Sequence, residues 1–198
     1  LVWVDRGRKP LGALSNDDSY GYVQISPDGR QVAVSVVDSW TSRNRDLWIY
    51  DVARRIRTRF TTNPADEFAP VWSPDGSRLI FSGTGRVGLD LYSKVATGAA
   101  KEEPLVQTVD VAEIPVSWSP DGRAILFQTP TPVNDIWILP LTGDRKPIPF
   151  ANSRFSELGG QFSPDGRWIA YSSNETGRHE VYVAPFGSGG KVAISSGG

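Results

Sequence analysis

The sequence contains no cysteine, no methionine and a single histidine, His179. Without cysteine, disulfides and thiolate metal sites are excluded and the redox compartment leaves no mark. One histidine rules out a three-histidine zinc centre. No apolar run is long enough to span a bilayer as a helix, and no charged segment leading into an apolar one marks a signal peptide. An excess of either charge is also lacking, since 21 Lys and Arg stand against 22 Asp and Glu, a formal net of −1. A nucleic-acid binder normally carries a basic excess, so nucleic acid is not an expected partner. No segment follows a helical period. The lack of methionine even at the start leads us to expect a piece of a longer protein, of unknown compartment.

Turn-formers and aromatics are what the chain has instead. Its 198 residues include 20 Gly, 15 Pro and seven Trp, enough apolar surface for a substantial core. Ser-Pro-Asp-Gly stands at Ser26 to Gly29, Ser73 to Gly76, Ser119 to Gly122 and Ser163 to Gly166, spaced by 47, 46 and 44 residues. A repeat of about 40–50 residues is the period of propeller arrays, with one four-stranded sheet per repeat. Pro sets φ, Gly allows a positive φ, and the Asp residues Asp28, Asp75, Asp121 and Asp165 complete a tight turn.

Each unit then reads as four strands: an apolar segment entering the turn, one leaving it, a third after a loop, and a less regular fourth. The second strands run over 31–37, 78–82, 124–129 and 168–173, and the third over 46–51, 90–95, 135–141 and 180–184. The second strands carry Val34, Phe81, Phe127 and Tyr171 at one register position, and the third carry Trp48, Tyr92, Trp137 and Tyr182 at another. Both sets read as packing between blades. The opening residues 1–5 resemble a third strand, with Trp3 in the place of Trp48, and 12–14 a fourth. The fold class is therefore all-β, a β-propeller with an N-terminal half blade over 1–16 and four blades over about 17–63, 64–109, 110–153 and 154–198. Half a blade lacks its inner strands, so closure of the wheel by this chain alone is not expected.

The four turns, the Asp-Leu-Trp and Asp-Ile-Trp third strands at 46–48 and 135–137, and the Trp-Ser-Pro segments at 72–74 and 118–120 resemble the TolB-like, WD-repeat-like propeller family. The opening Leu1-Val2-Trp3-Val4-Asp5-Arg6, with Gly143 to Pro147 and Gly190-Lys191, is similar to propeller regions attached to bacterial serine/threonine kinases. The resemblance implies a scaffold for protein contacts, a gate for substrate, or a sensor, and a periplasmic or extracellular setting.

Several signatures fail on context. Gly83 to Gly88 matches a dinucleotide-binding glycine pattern, but a strand follows where a helix is required. The segment from Asp18 to Tyr22 faintly resembles a nucleophile elbow, yet leads into an inner strand. His179 is a weak catalytic candidate, with Glu175 and Arg178 near it in sequence.

One constellation keeps register. Glu67, Glu113 and Glu157 stand six residues before their motif serines, with Tyr20 in the first blade and Asp17, Asp18, Asp66 and Asp110 close by. The loops before the third strands add Asp46, Asp90, Asp135 and Glu180 to the same face. Repeat descent accounts for such recurrence. The functional alternative is a Ca²⁺ or Mg²⁺ site on Glu67, Glu113 and Glu157 at the channel mouth, serving a metal-assisted hydrolase of esters, lactones or phosphotriesters. The opposite face is expected to be basic, through Arg30, Arg78, Arg123, Arg167, Arg54, Arg55, Lys101, Arg145, Lys146 and Lys191. The leading reading is a non-catalytic interaction or sensor module with charged faces. A protein is the expected partner, and homo-oligomerisation through the incomplete blade is a further expectation.

Overall fold

The computed structural model describes residues 1–13, 19–37, 44–85, 88–106, 112–130 and 132–197. Within them every regular element is a strand. A two-stranded sheet comes first, β1 (Val2–Val4) with β2 (Pro10–Ala13). Four antiparallel sheets follow, each in chain order from the inside out. Blade 1 holds β3 (Tyr20–Ile25), β4 (Gln31–Val37), β5 (Arg45–Asp51) and β6 (Ile56–Arg59), and blade 2 holds β7 (Glu67–Trp72), β8 (Arg78–Thr84), β9 (Leu89–Val95) and β10 (Glu103–Val106). Blade 3 holds β11 (Ile114–Trp118), β12 (Ala124–Thr129), β13 (Asp135–Pro140) and β14 (Ile148–Ala151). Blade 4 holds β15 (Glu157–Phe162), β16 (Trp168–Ser173), β17 (Glu180–Pro185) and β18 (Val192–Ala193).

Each Ser-Pro-Asp-Gly turn is a closed hydrogen-bonded knot joining the two inner strands. Ser26 Oγ donates to Asp28 Oδ1 at 2.6 Å, the Arg30 amide donates to the same oxygen at 3.0 Å, and Ser26 Oγ accepts from the Gln31 amide at 2.9 Å. Ser73 with Asp75, Ser119 with Asp121 and Ser163 with Asp165 repeat it. The serine hydroxyl holds Asp75 and Asp165 down to about 2, with backbone amides helping. The glycines close the turn at φ of 70–75°. The turns also touch, since a Cβ on Gly76 would lie 3.7 Å from the Pro27 ring and one on Gly166 3.5 Å from that of Pro120.

A strand exposes side chains on alternate faces, so a sheet with two apolar faces must be covered twice. Here the covering is done by the neighbouring blade. Within each blade the two register positions oppose one another across the second and third strands: Val34 with Trp48, Phe81 with Tyr92, Phe127 with Trp137, Tyr171 with Tyr182. Phe81 stacks on Tyr92 with centroids 6.1 Å apart, and Tyr171 on Tyr182 at 5.9 Å. These rear faces fit the forward face of the preceding blade. Leu79 and Phe81 meet Ala33, Leu47 and Ile49; Ile125, Phe127 and Leu139 meet Ile80 and Leu91; Ile169, Tyr171 and Tyr182 meet Leu126 and Ile136. The rear of blade 1 is covered by Leu1 and Trp3 from the two-stranded sheet, so Trp3 faces forward and does not take the rear-facing place of Trp48.

The innermost strands follow one another, β3 against β7, β7 against β11 and β11 against β15. No comparable packing joins β15 to β3 among the described residues, so the arc stays open. Every innermost strand is irregular at one place, between Tyr20 and Val23, Phe68 and Val71, Pro115 and Ser117, and Leu158 and Gln161. The extra residue of such a bulge takes a positive φ at Ala69 and Gly159.

The motif turns give the first prediction. Gly122 has φ of +75° and open space where a Cβ would stand, so Gly122→Ala tests backbone strain without a clash. It should lower unfolding free energy by about 1–2 kcal/mol, read as a fall in the midpoint of denaturant unfolding.

Candidate functional site

The recurring glutamates do not ring an open channel mouth. Glu67, Glu113 and Glu157 are each 1% exposed, sealed in the seams between blades. The cause lies in the strand they begin. The first residue of an innermost strand abuts the third strand of the preceding blade, whose amides and neighbouring hydroxyls need acceptors. Glu113 accepts the Leu91 amide at 3.3 Å while its own amide donates to Leu89 O at 2.8 Å. Glu157 accepts from Ser153 Oγ at 2.6 Å and donates its amide to Asn134 O at 2.7 Å. Glu67 meets the hydroxyl of Thr61, which in turn accepts the Leu47 amide at 2.9 Å. Each glutamate thus pins its own blade to the one before it. Among the described residues no three His, Cys, Asp or Glu side chains gather as a metal site. Asp17, Asp18 and Asp110 lie outside the described residues.

The acids expected in the loops before the third strands lie at the starts of those strands instead, and Asp46, Asp90 and Asp135 share these seams. Asp46 and Asp90 are buried, and Asp46 is paired with Arg59 at 2.5 Å. Asp135 keeps Oδ1 buried without a partner, and burial followed by the charge of Glu157 raises its pKa. Burial also raises that of Asp90. Burial, with the carboxyls of Glu102 and Asp46 beside it, pushes Glu67 up to about 8 against the relief offered by Thr61. Across this seam Lys94 Nζ donates to Phe60 O at 2.7 Å, lies over the Phe60 ring and stands 3.7 Å from Glu102.

His179 sits in the loop before β17 with Nδ1 3.1 Å from Ser172 Oγ, an exposed contact. The two acids near it in sequence are engaged elsewhere, Glu175 with Lys191 and Glu180 with Arg178, Ser195 and the Gly197 amide. The glycine pattern at 83–88 is the connection from β8 to β9. A Cβ on Gly83 would stand 2.9 Å from the Tyr92 ring, and one on Gly85 would collide with the Asp90 carboxylate. Arg86 and Val87 lie outside the described residues.

The expected basic face is corrected to a mixed one. Arg30 lies 3.8 Å from Asp28, Arg167 2.6 Å from Asp165, Arg78 2.6 Å from Glu103, Arg54 3.8 Å from Asp51 and Lys146 3.8 Å from Asp144. The motif aspartates that build the turns also offset the arginines that follow them.

Sequence reading missed a groove of about 680 Å³ between blades 3 and 4. Ile138, Ile148, Pro149, Phe150, Pro185 and Phe186 make it apolar, and Arg123 and Lys191 stand on its wall with Asp121. The matching cleft between blades 1 and 2 holds about 220 Å³ and is lined by Asp51, Arg54, Thr58 and Arg59 among others. The visible signal was the pair of Pro-aromatic steps in the sequence, Pro149-Phe150 in the outermost strand β14 and Pro185-Phe186 at the end of the third strand β17.

Known proteins agree with this architecture. A solved structure of a TolB candidate from Agrobacterium tumefaciens superposes with a TM-score of 0.83 over 99% of this chain and 69% of its own, at 19% identity. TolB from Acinetobacter baumannii gives 0.76 over 96% of this chain and 46% of its own, also at 19% identity. In sequence, a TolB homologue of Chlorobium luteolum is 29% identical over 136 residues, 67% of this chain and 29% of that protein. The fold is a β-propeller similar to that of TolB. No family model matches the chain. The TolB-like chain spans under a third of the length of its sequence relative, and the likeness to kinase-attached propellers is not shown by these comparisons.

The buried carboxyl gives the second prediction. Glu67 binds its proton more tightly folded, with a pKa of about 8, than at its ordinary 4.5, so folding stability is full below pH ~4.5 and declines as pH rises to 8. Glu67→Gln should remove that decline and raise the thermal midpoint above pH 8. Identical slopes for both proteins in a pH series of unfolding midpoints would refute the assignment.

Proposed function

We propose that this TolB-like propeller is a non-catalytic interaction module that holds an extended segment of a protein partner in the groove between blades 3 and 4. The groove is the observation that carries the reading. It is wider than the matching cleft between blades 1 and 2, and Ile148, Pro149, Phe150, Pro185 and Phe186 replace much of that cleft's polar lining. Proline and aromatic walls suit an extended peptide, because they are rigid and lose little entropy on contact. Arg123 and Lys191 beside Asp121 leave the wall net positive, which selects a segment bearing acidic residues next to its apolar ones. The resemblance to TolB-like propellers, which implies a scaffold for protein contacts, points the same way.

A hydrolytic reading has the exposed contact between Ser172 and His179 in its favour. It predicts ester hydrolysis that disappears in His179→Ala and, on its metal-assisted form, with chelator. The seam positions of Glu67, Glu113 and Glu157 give that form little support.

The interaction reading predicts that selection of displayed peptides on the chain enriches apolar sequences carrying Asp or Glu. Ile148, half-exposed on the groove wall, can be changed without disturbing the core. Ile148→Asp should weaken an enriched peptide by about tenfold or more, ~1.4 kcal/mol, and Arg123→Glu should shift selection away from acidic residues. Fluorescence anisotropy on the enriched peptides measures both. Indifference to both substitutions would refute the groove as the binding surface.

A further inference from the structure

The three seams between the four-stranded blades differ where their Ser-Pro-Asp-Gly turns meet. In the seam of blades 1 and 2 a Cβ on Gly76 would lie 3.7 Å from Pro27, and in that of blades 3 and 4 one on Gly166 would lie 3.5 Å from Pro120. Gly122 holds the same place in the seam of blades 2 and 3, yet nothing lies within 4 Å of its Cβ position. The turns stand apart there, around a cavity of about 280 Å³ lined by Pro74, Asp75, Ser77, Trp118, Pro120 and Asp121 among others.

Two further departures fall on this cavity. Trp72 and Trp118 each precede their motif serine by one residue. Trp72 Nε1 donates to Gln24 O of blade 1 at 3.2 Å, whereas Trp118 Nε1 is buried with no partner among the described residues. A buried donor without an acceptor is costly, and marks a contact that this seam has not completed by itself. The second departure is a charge. Four residues after the motif serine stand Arg30, Arg123 and Arg167, but Ser77 in blade 2. Arg30 and Arg167 come back to the aspartates of their own turns, at 3.8 and 2.6 Å. Asp75 is held instead by Ser73 Oγ at 2.6 Å, the Ser77 amide at 3.0 Å and Ser77 Oγ at 2.8 Å. These donors are neutral, so they fix the carboxylate without cancelling its charge. The neighbouring cations are committed elsewhere. Arg78 donates to Ser93 Oγ at 2.9 Å and to Glu103 at 2.6 Å, and Arg123 stands on the wall of the groove between blades 3 and 4.

We infer that the cavity between the turns of blades 2 and 3 receives an arginine side chain of a protein partner, which brings to Asp75 the cation that blade 2 lacks. The occupant follows from charge and surface together. Asp75 and Asp121 repel an anion and favour a cation. Trp118 offers an indole, the aromatic group that attracts a cation most strongly, and the flat guanidinium stacks on it where a lysine ammonium does not. Pro74 and Pro120 are rigid apolar surfaces on which the aliphatic stem of the arginine packs. That the partner is a protein rests on the interaction reading, whereas the guanidinium rests on the cavity itself. The cavity is distinct from the groove between blades 3 and 4, although Asp121 borders both.

The test uses the peptide acetyl-Gly-Arg-Gly-amide, titrated into the ¹⁵N-labelled chain. The indole N–H signal of Trp118, identified by its loss in Trp118→Phe, should shift and saturate at millimolar peptide. Citrulline in place of arginine keeps the shape without the charge, and should bind about tenfold more weakly or worse. Lysine in its place should bind about threefold more weakly. Methylguanidinium, which has the head group without the chain, should also be weaker than the arginine peptide, and equal affinity would overturn a protein side chain as the occupant. Ser77→Arg restores to blade 2 the residue that the other three turns carry, so it should fold as the wild type does. Its own guanidinium should then compete for Asp75 and weaken the arginine peptide about tenfold. Equal binding of the arginine and citrulline peptides overturns the proposal, as does an unchanged titration in a folded Ser77→Arg or a Trp118 signal that the arginine peptide does not move. The probe has no apolar or acidic side chain, so its failure is separate from any failure of the groove.

Discussion

The covering of one sheet face by the next governs this chain. A four-stranded sheet with two apolar faces has no stable existence alone, because burial of apolar area, at about 25 cal/mol per Å², is gained only when both faces are sealed. Everything recurrent in the sequence serves that contact. The Ser-Asp knot fixes the angle between the two inner strands, the opposed pairs such as Phe81 with Tyr92 furnish the rear ridge, and Leu91 with Ile80 the forward hollow. The glutamates then tie the strand that starts a blade to the strand before it. Their burial is tolerated because each finds a donor, as Glu113 does in the Leu91 amide and Glu157 in Ser153.

What was legible in the sequence was whatever a blade decides for itself. The turns, the second and third strands and the opposed aromatics all follow from residues within one repeat, so period and register located them to within a residue or two. β12 over Ala124–Thr129 and β16 over Trp168–Ser173 are instances. What was not legible depends on a neighbour. Recurrence placed Glu67, Glu113 and Glu157 at one position, but whether that position opens on an axis or is shut in a seam is decided by the preceding blade. The same holds for charge. Counting Arg30 and Arg167 after the turns suggests a basic face, and only the fold shows Asp28 and Asp165 turned back toward them.

The carboxyl pairs show how a repeat tolerates difference. Asp46 beside Glu67 and Asp135 beside Glu157 occupy matching seams, yet Asp46 has Arg59 while Asp135 has an oxygen with no partner. Two buried acids close together cannot both ionise cheaply, so one of each pair is held protonated to higher pH. In the first seam Glu67 is that group, with Glu102 adding to its load and Lys94 standing beside Glu102 rather than beside Glu67. The repeat therefore conserves a place for an acid more strictly than it conserves that acid's charge.

Function in such a scaffold has to come from departures, since a residue present in every blade is explained by the blade. The groove between blades 3 and 4 is a departure, made by Pro149-Phe150 of the outer strand β14, where blade 1 has Arg59-Phe60, and by Pro185-Phe186 at the end of β17. Pro149 sits in the outermost strand, where a missing ladder donor is not needed, and it removes a donor that would draw water into the cleft. On the proposed reading, the widened cleft is a place where an apolar segment would gain from leaving water, and Arg123 and Lys191 would favour acidic segments over neutral ones. The Ser-Pro-Asp-Gly turns build the blades; the exceptions beside them are where a specific function has to be sought.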